Sequence, residues 1–517
     1  MAKDPEMLVT RRGTLLLAGA ALAAVIGPAG AQGPAAAPFG HETVVAIARE
    51  LASQAYVPPD RSLPAPLAGL SYDDYRRINF RRESTLLRSA GSDFGLQLFH
   101  RGGIFHKRVK VNLVTDGVAA PLAYTPEMFD FGGGAPPAGL PDTLGFAGLR
   151  LLYPLNNSSD LDELAAFLGS SYFRFLGKGQ RYGLSARGIS IGSGAPHEEF
   201  PDFVEFWVVP PATGGGSITV HALLDGPSIT GAYRFVFAPG KADEVEVQAT
   251  LFARKDLVGL GIAPLTSMFL HGENTLAKPR DFRPEVHDSD GLAMRTIGGE
   301  WIWRALRNPN KTFVSDLHDT DTSGFGLLQR DRDFSHYQDL EARYDLRPGY
   351  WVEMKTRLGQ GRVALAEIHS GAETDDNIVA SWVPDEQPLA GSETTVAYVI
   401  RSVGGLLHDG GYVVASFETH AASAGAAEKA GTTRFLVDFA GGRLGSIALT
   451  AENLELVATS SKGGISAQTV VHNPAIGGFR ASFDVALPPG EDIDLRAFVK
   501  LGEHVVTETW SYRREAD

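Results

Sequence analysis

Between Glu244 and Leu251 the chain alternates polar and apolar residues without a break: Glu, Val, Glu, Val, Gln, Ala, Thr, Leu. A period of two places the apolar residues on one face of an extended chain, the pattern of a half-buried strand. Residues 218–224 and 229–237 repeat the theme on either side of Asp225-Gly226-Pro227-Ser228, which reads as a hairpin turn. Residues 350–358 alternate as well, and there Trp351 shares a face with Glu353, Lys355 and Arg357. A tryptophan on a charged face predicts a groove wall rather than a core residue. Helical spacing is rare. Val44, Val45, Ile47, Ala48 and Leu51 predict an amphipathic helix over 41–54. Residues 160–168 form a second helix candidate, with Ser159 and Asp160 as caps.

Few helices and 59 glycines in 517 residues predict an all-β protein with many turns. Such a length exceeds one ordinary core, so two domains are expected. Residues 384–391 and the glycine-rich 402–411 mark the boundary. The expected layout is a large N-terminal β-sandwich over 32–403 and a small immunoglobulin-like β-sandwich over 412–517, the latter a structural brace.

Composition narrows the function. Apolar residues are 44% and charged residues 21%, as in a globular protein. The absence of cysteine excludes disulfides and thiolate catalysis. A net charge of −14 argues against a nucleic-acid partner, which would need a basic face. Thr10-Arg11-Arg12-Gly13 precedes an apolar run from Leu15 to Ile26, and Ala29-Gly30-Ala31 offers a small-residue cleavage site. Residues 1–31 therefore read as a twin-arginine export signal, with the twin-arginine translocase as a transient partner and the periplasm as destination. Replacing Arg11 and Arg12 together by Lys is expected to strand the protein in the cytoplasm. Fractionation showing normal periplasmic accumulation of that variant would refute the export route.

Candidate chemistry concentrates between Phe282 and Trp382. Four of the six tryptophans lie there, Trp301, Trp303, Trp351 and Trp382, mixed with arginines and carboxylates. Aromatic faces stack on sugar rings, charged planar groups hydrogen-bond hydroxyls, and paired carboxylates cut glycosidic bonds. The four tryptophans with Arg330, Arg332 and Tyr337 are the expected sugar-contacting set. Other motifs lead nowhere. Gly188-Ile189-Ser190-Ile191-Gly192 has the serine-hydrolase spacing, but Gly192-Ser193-Gly194-Ala195-Pro196 cannot open the helix that a nucleophile elbow requires. Asp319-Thr320-Asp321 starts like a calcium loop, yet its twelfth position is Arg330. Gly324-Phe325-Gly326 lacks the third glycine of a nucleotide fingerprint, and no zinc motif is present. No cofactor or metal is expected.

Longer runs carry a resemblance. Tyr172-Phe173-Arg174-Phe175-Leu176-Gly177-Lys178-Gly179-Gln180-Arg181-Tyr182-Gly183, Arg283-Pro284-Glu285-Val286-His287-Asp288-Ser289-Asp290-Gly291 and Glu373-Thr374-Asp375-Asp376-Asn377-Ile378-Val379-Ala380 resemble the periplasmic glucan biosynthesis family, proteins G and D of osmoregulated periplasmic glucan synthesis. The likeness covers essentially the whole chain after the signal, and the twin arginines lean toward the D type. It implies the same two-sandwich layout and action on a β-1,2-glucan backbone as an inverting glycosidase or transglycosidase. It also implies a functional link to an inner-membrane glucan synthase. The alternative is a glucan-binding protein that assists synthesis without cutting. Carried over by motif, the general acid is Asp376 and the general base Asp288, with Asp290 as fallback. Glu373 supports the acid, and His287 and Tyr337 are relay candidates. One departure stands out: Asp375 occupies a position where the family pattern has asparagine.

Overall fold

The computed structural model describes residues 38–516 apart from 89–91, 213, 241–242, 276–279, 422–430, 446–450 and 488–489, so the export signal lies outside the described residues. Residues Phe39–Asp517 form one compact unit. It is all-β, as the alternating pattern predicts. A ten-stranded sheet packs on a fifteen-stranded one. The hairpin at 225–228 is present, between strands Ile218–Asp225 and Ile229–Ala238, and Ile229–Ala238 pairs in turn with Glu244–Ala253. Between the two sheets lies an aromatic-rich core. Phe167 and Phe173 of one meet Phe235 of the other at ring-centroid distances of 5.1 and 5.0 Å. Edge-to-face contacts of this kind add to the area that each ring buries.

The long sheet does not stop at the expected boundary. Trp301–Ala305 pairs in parallel with Thr509–Arg514, which continues into Ile493–Leu501 and Leu454–Ser460. A four-stranded sheet, Tyr412–His420, Thr432–Ala440, Gly478–Ala486 and Ile465–Asn473, covers that extension and encloses a second core around Phe435, Phe483 and Trp510. The C-terminal sandwich thus shares a sheet with the large one.

The helix predicted at 41–54 forms over His41–Ala52. It buries Val44, Val45 and Ala48 against Trp207, Leu223 and Phe252 of the long sheet. The second helix candidate is a strand, Asp162–Leu168, between Phe146–Tyr153 and Tyr172–Phe175. Seven residues can satisfy either period, and sheet pairing on both sides decides the matter. Ser159 and Asp160 cap no helix. Their backbone N–H groups donate to the Asn157 side chain in a turn at 3.0 and 2.9 Å.

Three of the expected sugar-binding tryptophans are structural. Trp303, Trp351 and Trp382 are 4, 5 and 1% exposed. Each ring lies over a glycine on the neighbouring strand: Trp303 over Gly291, Trp351 over Gly324 and Trp382 over Gly361. A Cβ at those glycines would come within 2.1, 2.5 and 2.7 Å of the indole, so the glycine makes room for the ring. Alternation did put Trp351 on the Glu353 face. The second sandwich covers that face, and the Trp301 ring lies tilted against Trp351 at 5.2 Å, so no groove wall results. Gly324-Phe325-Gly326 therefore seats a tryptophan. Ser190 is buried at 1% exposure on strand Ile189–Ile191, out of reach of any substrate.

Candidate active site

Alternation also builds the site. In Tyr172–Phe175, Phe173 and Phe175 point into the core, so Tyr172 and Arg174 face outward together. They lie in a groove of about 360 Å³ on the ten-stranded sheet. Phe99, Phe105, Leu168 and Tyr172 give it apolar walls, and Glu163, Arg174, Tyr182 and Asp376 give it polar ones. Arg174 is held by its Nε, which donates to Ser185 Oγ at 2.7 Å. The Arg187 guanidinium lies 4.9 Å from the Tyr172 ring centre and is fixed by Thr266 Oγ1 and Glu198 Oε1 at 2.9 and 2.6 Å. Tyr182 donates its hydroxyl hydrogen to Glu163 at 2.6 Å, and Arg150 binds the other oxygen of that carboxylate at 3.0 Å. Half-buried aromatics beside fixed polar groups make a surface suited to a carbohydrate.

Asp376 sits at the head of this groove, two residues before strand Ile378–Pro384. Its position is fixed by Asn377, which is 2% exposed. The Asn377 side-chain oxygen accepts from Phe269 N at 2.8 Å, and its amide donates to Phe269 O and Ile368 O at 2.9 and 3.0 Å. This amide replaces ladder hydrogen bonds where the strand begins. Asp376 remains open to solvent and makes no hydrogen bond to the described residues. Protein crowded around it thins the solvent and pushes its pKa above the usual carboxylate range, against the pull of Arg174 and Arg187 and with the help of Asp375. Asp375 is turned aside and accepts from Ser370 Oγ at 2.8 Å.

Asp288 is 5% exposed and tied at its backbone to Met268 O at 2.8 Å. Its carboxylate is paired with the Arg347 guanidinium in a close contact. Burial raises its pKa, Arg347 opposes that, and the charge of Asp376 raises it further. Arg347 lies 4.2 Å from the Tyr344 ring centre, and the Tyr344 hydroxyl donates to Glu373 at 3.2 Å. Arg283 holds Glu373, Asp281 and Asp339 at 2.7, 2.7 and 2.9 Å. Asp288, Arg347, Tyr344 and Glu373 therefore make a connected polar chain from the interior to the surface. Of the residues singled out in the sequence, Asp376, Asp288 and Glu373 come together here.

The others do not. Asp290 faces the opposite way, where its Oδ2 accepts from the backbone of Arg330 and Asp331 at 3.0 Å each. Arg330 makes a bidentate pair with buried Glu508 at 2.6 and 3.0 Å and covers Trp303, so its charge is spent inside the protein. Arg332 donates to backbone carbonyls of Asp345, Arg347 and Val403. Trp301, only half-buried, lies tilted against His408 at 4.7 Å beside the second sandwich. His287 and Tyr337 are fully buried in another network. The two His287 nitrogens meet Glu285 and Gln329 at 2.9 Å each, and Tyr337 donates to Asp331 O at 3.3 Å. Burial alone would lower the His287 pKa, but Glu285 and the charges of Asp290 and Glu273 hold it at about 9. Among the described residues neither side chain bonds to Asp288, whose carboxylate is met by Arg347 instead.

Phe99, Phe105, Glu163, Tyr172, Arg174, Tyr182, Arg187, Tyr344 and Arg347 escaped the sequence reading. For Tyr172 and Arg174 the signal was available, as an aromatic and an arginine two apart between phenylalanines. For Phe99, Phe105 and Glu163 it was not, because their nearness depends on strand order.

The model of the family described as "Periplasmic glucan biosynthesis protein, MdoG" matches residues 39–514. "Glucans biosynthesis protein G" of Rhodopseudomonas palustris is 44% identical over 489 residues, covering 94% of this chain and 95% of its own. A protein of the same name from Pseudomonas paraeruginosa is 40% identical over 519 residues, covering 98% and 97%. "Probable glucans biosynthesis protein D" of Shewanella oneidensis is 41% identical over 494 residues, covering 93% and 91%. Relatives named G and D thus match about equally well. On this evidence the chain belongs to the MdoG family of periplasmic glucan biosynthesis proteins.

Proposed function

We propose that this protein cuts or remodels a glucan backbone in the groove headed by Asp376, as an inverting glycosidase or transglycosidase. Its place in glucan biosynthesis follows from the family; the chemistry is our reading of the site. One observation carries it. Asp376 is exposed and makes no hydrogen bond to the described residues, its pKa is raised, and its charge reaches a second, buried carboxylate. An acid that must protonate a leaving oxygen needs such a raised pKa and an open face. Asp288, held by Arg347, is the base. Because it is buried, it takes the proton of the attacking water through a bridging water rather than by direct contact, and Arg347 holds it as the carboxylate. An inverting mechanism leaves room for that water between the two carboxylates. The β-1,2 linkage rests on the family resemblance, as does the link to an inner-membrane synthase. Location in the periplasm is supported by the family name and the sequence of residues 1–31. Among the described residues no helix is long and apolar enough to cross a membrane.

The second reading, glucan binding without cleavage, is favoured by the Asp288–Arg347 pair, which occupies the proposed base. Incubating the purified protein with linear β-1,2-glucan and separating the products by chromatography decides between them. Shortened or cyclised chains support the enzyme. An unchanged glucan that still binds supports the second reading. In either case Tyr172→Ala is expected to weaken glucan affinity by about 1–2 kcal/mol, the scale of losing an aromatic anchor. Calorimetric titration measures this, and unchanged affinity would remove Tyr172 from the binding surface.

A further inference from the structure

The groove headed by Asp376 is small for a polymer. At about 360 Å³ it lies near the lower end for a site that encloses a small molecule. A glucan chain lying in it must run on over neighbouring protein, and the surroundings of Tyr172 offer a prepared surface. Strand pairing sets Tyr172 directly opposite Arg187, and cross-strand partners share a face. The Arg187 guanidinium lies 4.9 Å from the centre of the Tyr172 ring and 5.1 Å from that of Phe200. Neither Arg187 nor Phe200 lines the groove, and Phe200 is 46% exposed.

A lone exposed phenylalanine needs no explanation, but this one is built into place. It belongs to the turn between strands Ile189–Ile191 and Asp202–Val209, which follows the serine-hydrolase spacing of the sequence. Glu199 N donates to Ile191 O at 3.0 Å, and the Glu199 carboxylate accepts from Ser228 N and Oγ at 3.0 and 2.6 Å. Glu198 accepts from Arg187 at 2.6 Å. The backbone just before Phe200 is thus anchored twice, and Pro201 just after it restricts the phenylalanine to extended conformations. Burial pushes the Tyr172 pKa up, Arg187 pulls it down, and the charges of Asp376 and Glu198 raise it further. The acid and the turn that carries Phe200 therefore meet around one tyrosine.

We propose that Phe200, oriented beside Tyr172 by Arg187, is a sugar-stacking platform outside the groove that receives the continuation of a bound glucan chain. The inference rests on the groove being a glucan site, whether or not the glucan is cut there. The C–H face of a sugar ring suits an exposed phenyl ring, which asks for shape and not for charge, as a neutral polymer requires. Arg187 is 4% exposed, with Nε and Nη1 committed to Thr266 and Glu198, so it acts on the rings rather than on the sugar. Sequence alone did not show the platform, because Phe200 and Tyr172 meet only through an arginine on a third segment.

The test is calorimetric titration with a β-1,2-linked trisaccharide and with long linear β-1,2-glucan, in the Asp376→Asn background so that cleavage does not blur binding. Phe200→Ala is expected to weaken the long glucan at least about fivefold, the scale of losing an aromatic anchor, and to leave the trisaccharide within about twofold. Phe200→Trp is expected to keep the affinity for the long chain, and the Tm of Phe200→Ala to stay that of the parent, since the ring is exposed. Tyr172→Ala is expected to weaken both ligands. Undiminished affinity of Phe200→Ala for the long glucan would overturn the platform, and the groove reading would stand if Tyr172→Ala still weakened binding. Equal losses for both lengths, or a Tm several degrees lower, would also overturn it, by making Phe200 a groove or packing residue. A parent protein that binds neither ligand would remove the groove reading and the platform with it.

Discussion

Asp376→Asn is expected to lower turnover on β-1,2-glucan by about 10²–10⁴-fold, the range for losing a general acid. The substitution keeps size and hydrogen-bonding reach but removes the transferable proton, and Asn377 still fixes the backbone. Glucan affinity is expected to stay within a few-fold, because the groove's aromatic and arginine contacts remain. The pH profile supplies an independent check. A general acid works while protonated, so activity falls as pH rises through its pKa. Burial and Asp375 raise that pKa, which moves the falling limb above the ordinary carboxylate range. Asp375→Asn removes a neighbouring negative charge, so the limb is expected to move to lower pH, with activity at the optimum kept within about tenfold. Wild-type turnover in Asp376→Asn with a dead Asp375→Asn would make Asp375 the acid. If neither change matters, glucan binding without cleavage becomes the better reading.

Glu508→Ala is expected to destabilise the fold by about 3–5 kcal/mol, the cost of leaving a buried partner charge unpaired. Glu508 is 2% exposed overall. It accepts two hydrogen bonds from Arg330, one from Val413 N at 2.7 Å and one from His408 at 3.2 Å. It thereby joins the loop after strand Gly324–Leu328 to the start of Tyr412–His420 and to Thr509–Arg514, the strand that carries the long sheet into the second sandwich. Burial pushes its pKa up, but Arg330 and the His408 and Val413 hydrogen bonds hold it below the ordinary 4.5. A depressed acid pKa means that this stabilisation is complete above pH 4.5 and is lost as pH falls through the folded value. Denaturant midpoints at neutral pH measure the effect. Glu508→Leu with Arg330→Met leaves no unpaired charge and is expected to recover part of the loss. A loss below about 1 kcal/mol in Glu508→Ala, the scale of an exposed pair, would show that solvent already reaches Arg330.

What the sequence disclosed follows from how local each signal is. Alternation over 244–251 or 218–237 needs no partner, and those strands formed where expected. The 160–168 segment was misread because a short apolar run fits both periods until neighbouring strands pair with it. Trp351 was misread for the same kind of reason. Its face is set locally, but what covers that face is a sandwich encoded more than sixty residues later. Arg330 shows the limit for charge: a lone arginine in an aromatic stretch reads as a ligand contact until Glu508 is placed beside it. The candidates Asp376, Asp288 and Glu373, which the fold brings near one another, came from whole motifs. The wall of their groove was not legible, since Phe99, Glu163 and Tyr182 meet only through the strand order of the ten-stranded sheet.

The continuous sheet restricts how this molecule can move. Domain closure elsewhere turns on a few linker residues that absorb large backbone rotations. Here the two sandwiches are joined by ladder hydrogen bonds from Ile302, Trp303 and Arg304 to Thr509, Trp510 and Ser511. Swinging one sandwich about the other would tear that ladder and expose buried amides without water ready to replace their bonds. Clamshell motion is therefore closed to it. On the proposed function, a glucan entering the groove would meet a rigid floor, and fitting around the sugar would fall to the connecting segments, above all residues 330–347, whose Tyr344 and Arg347 reach toward Asp288.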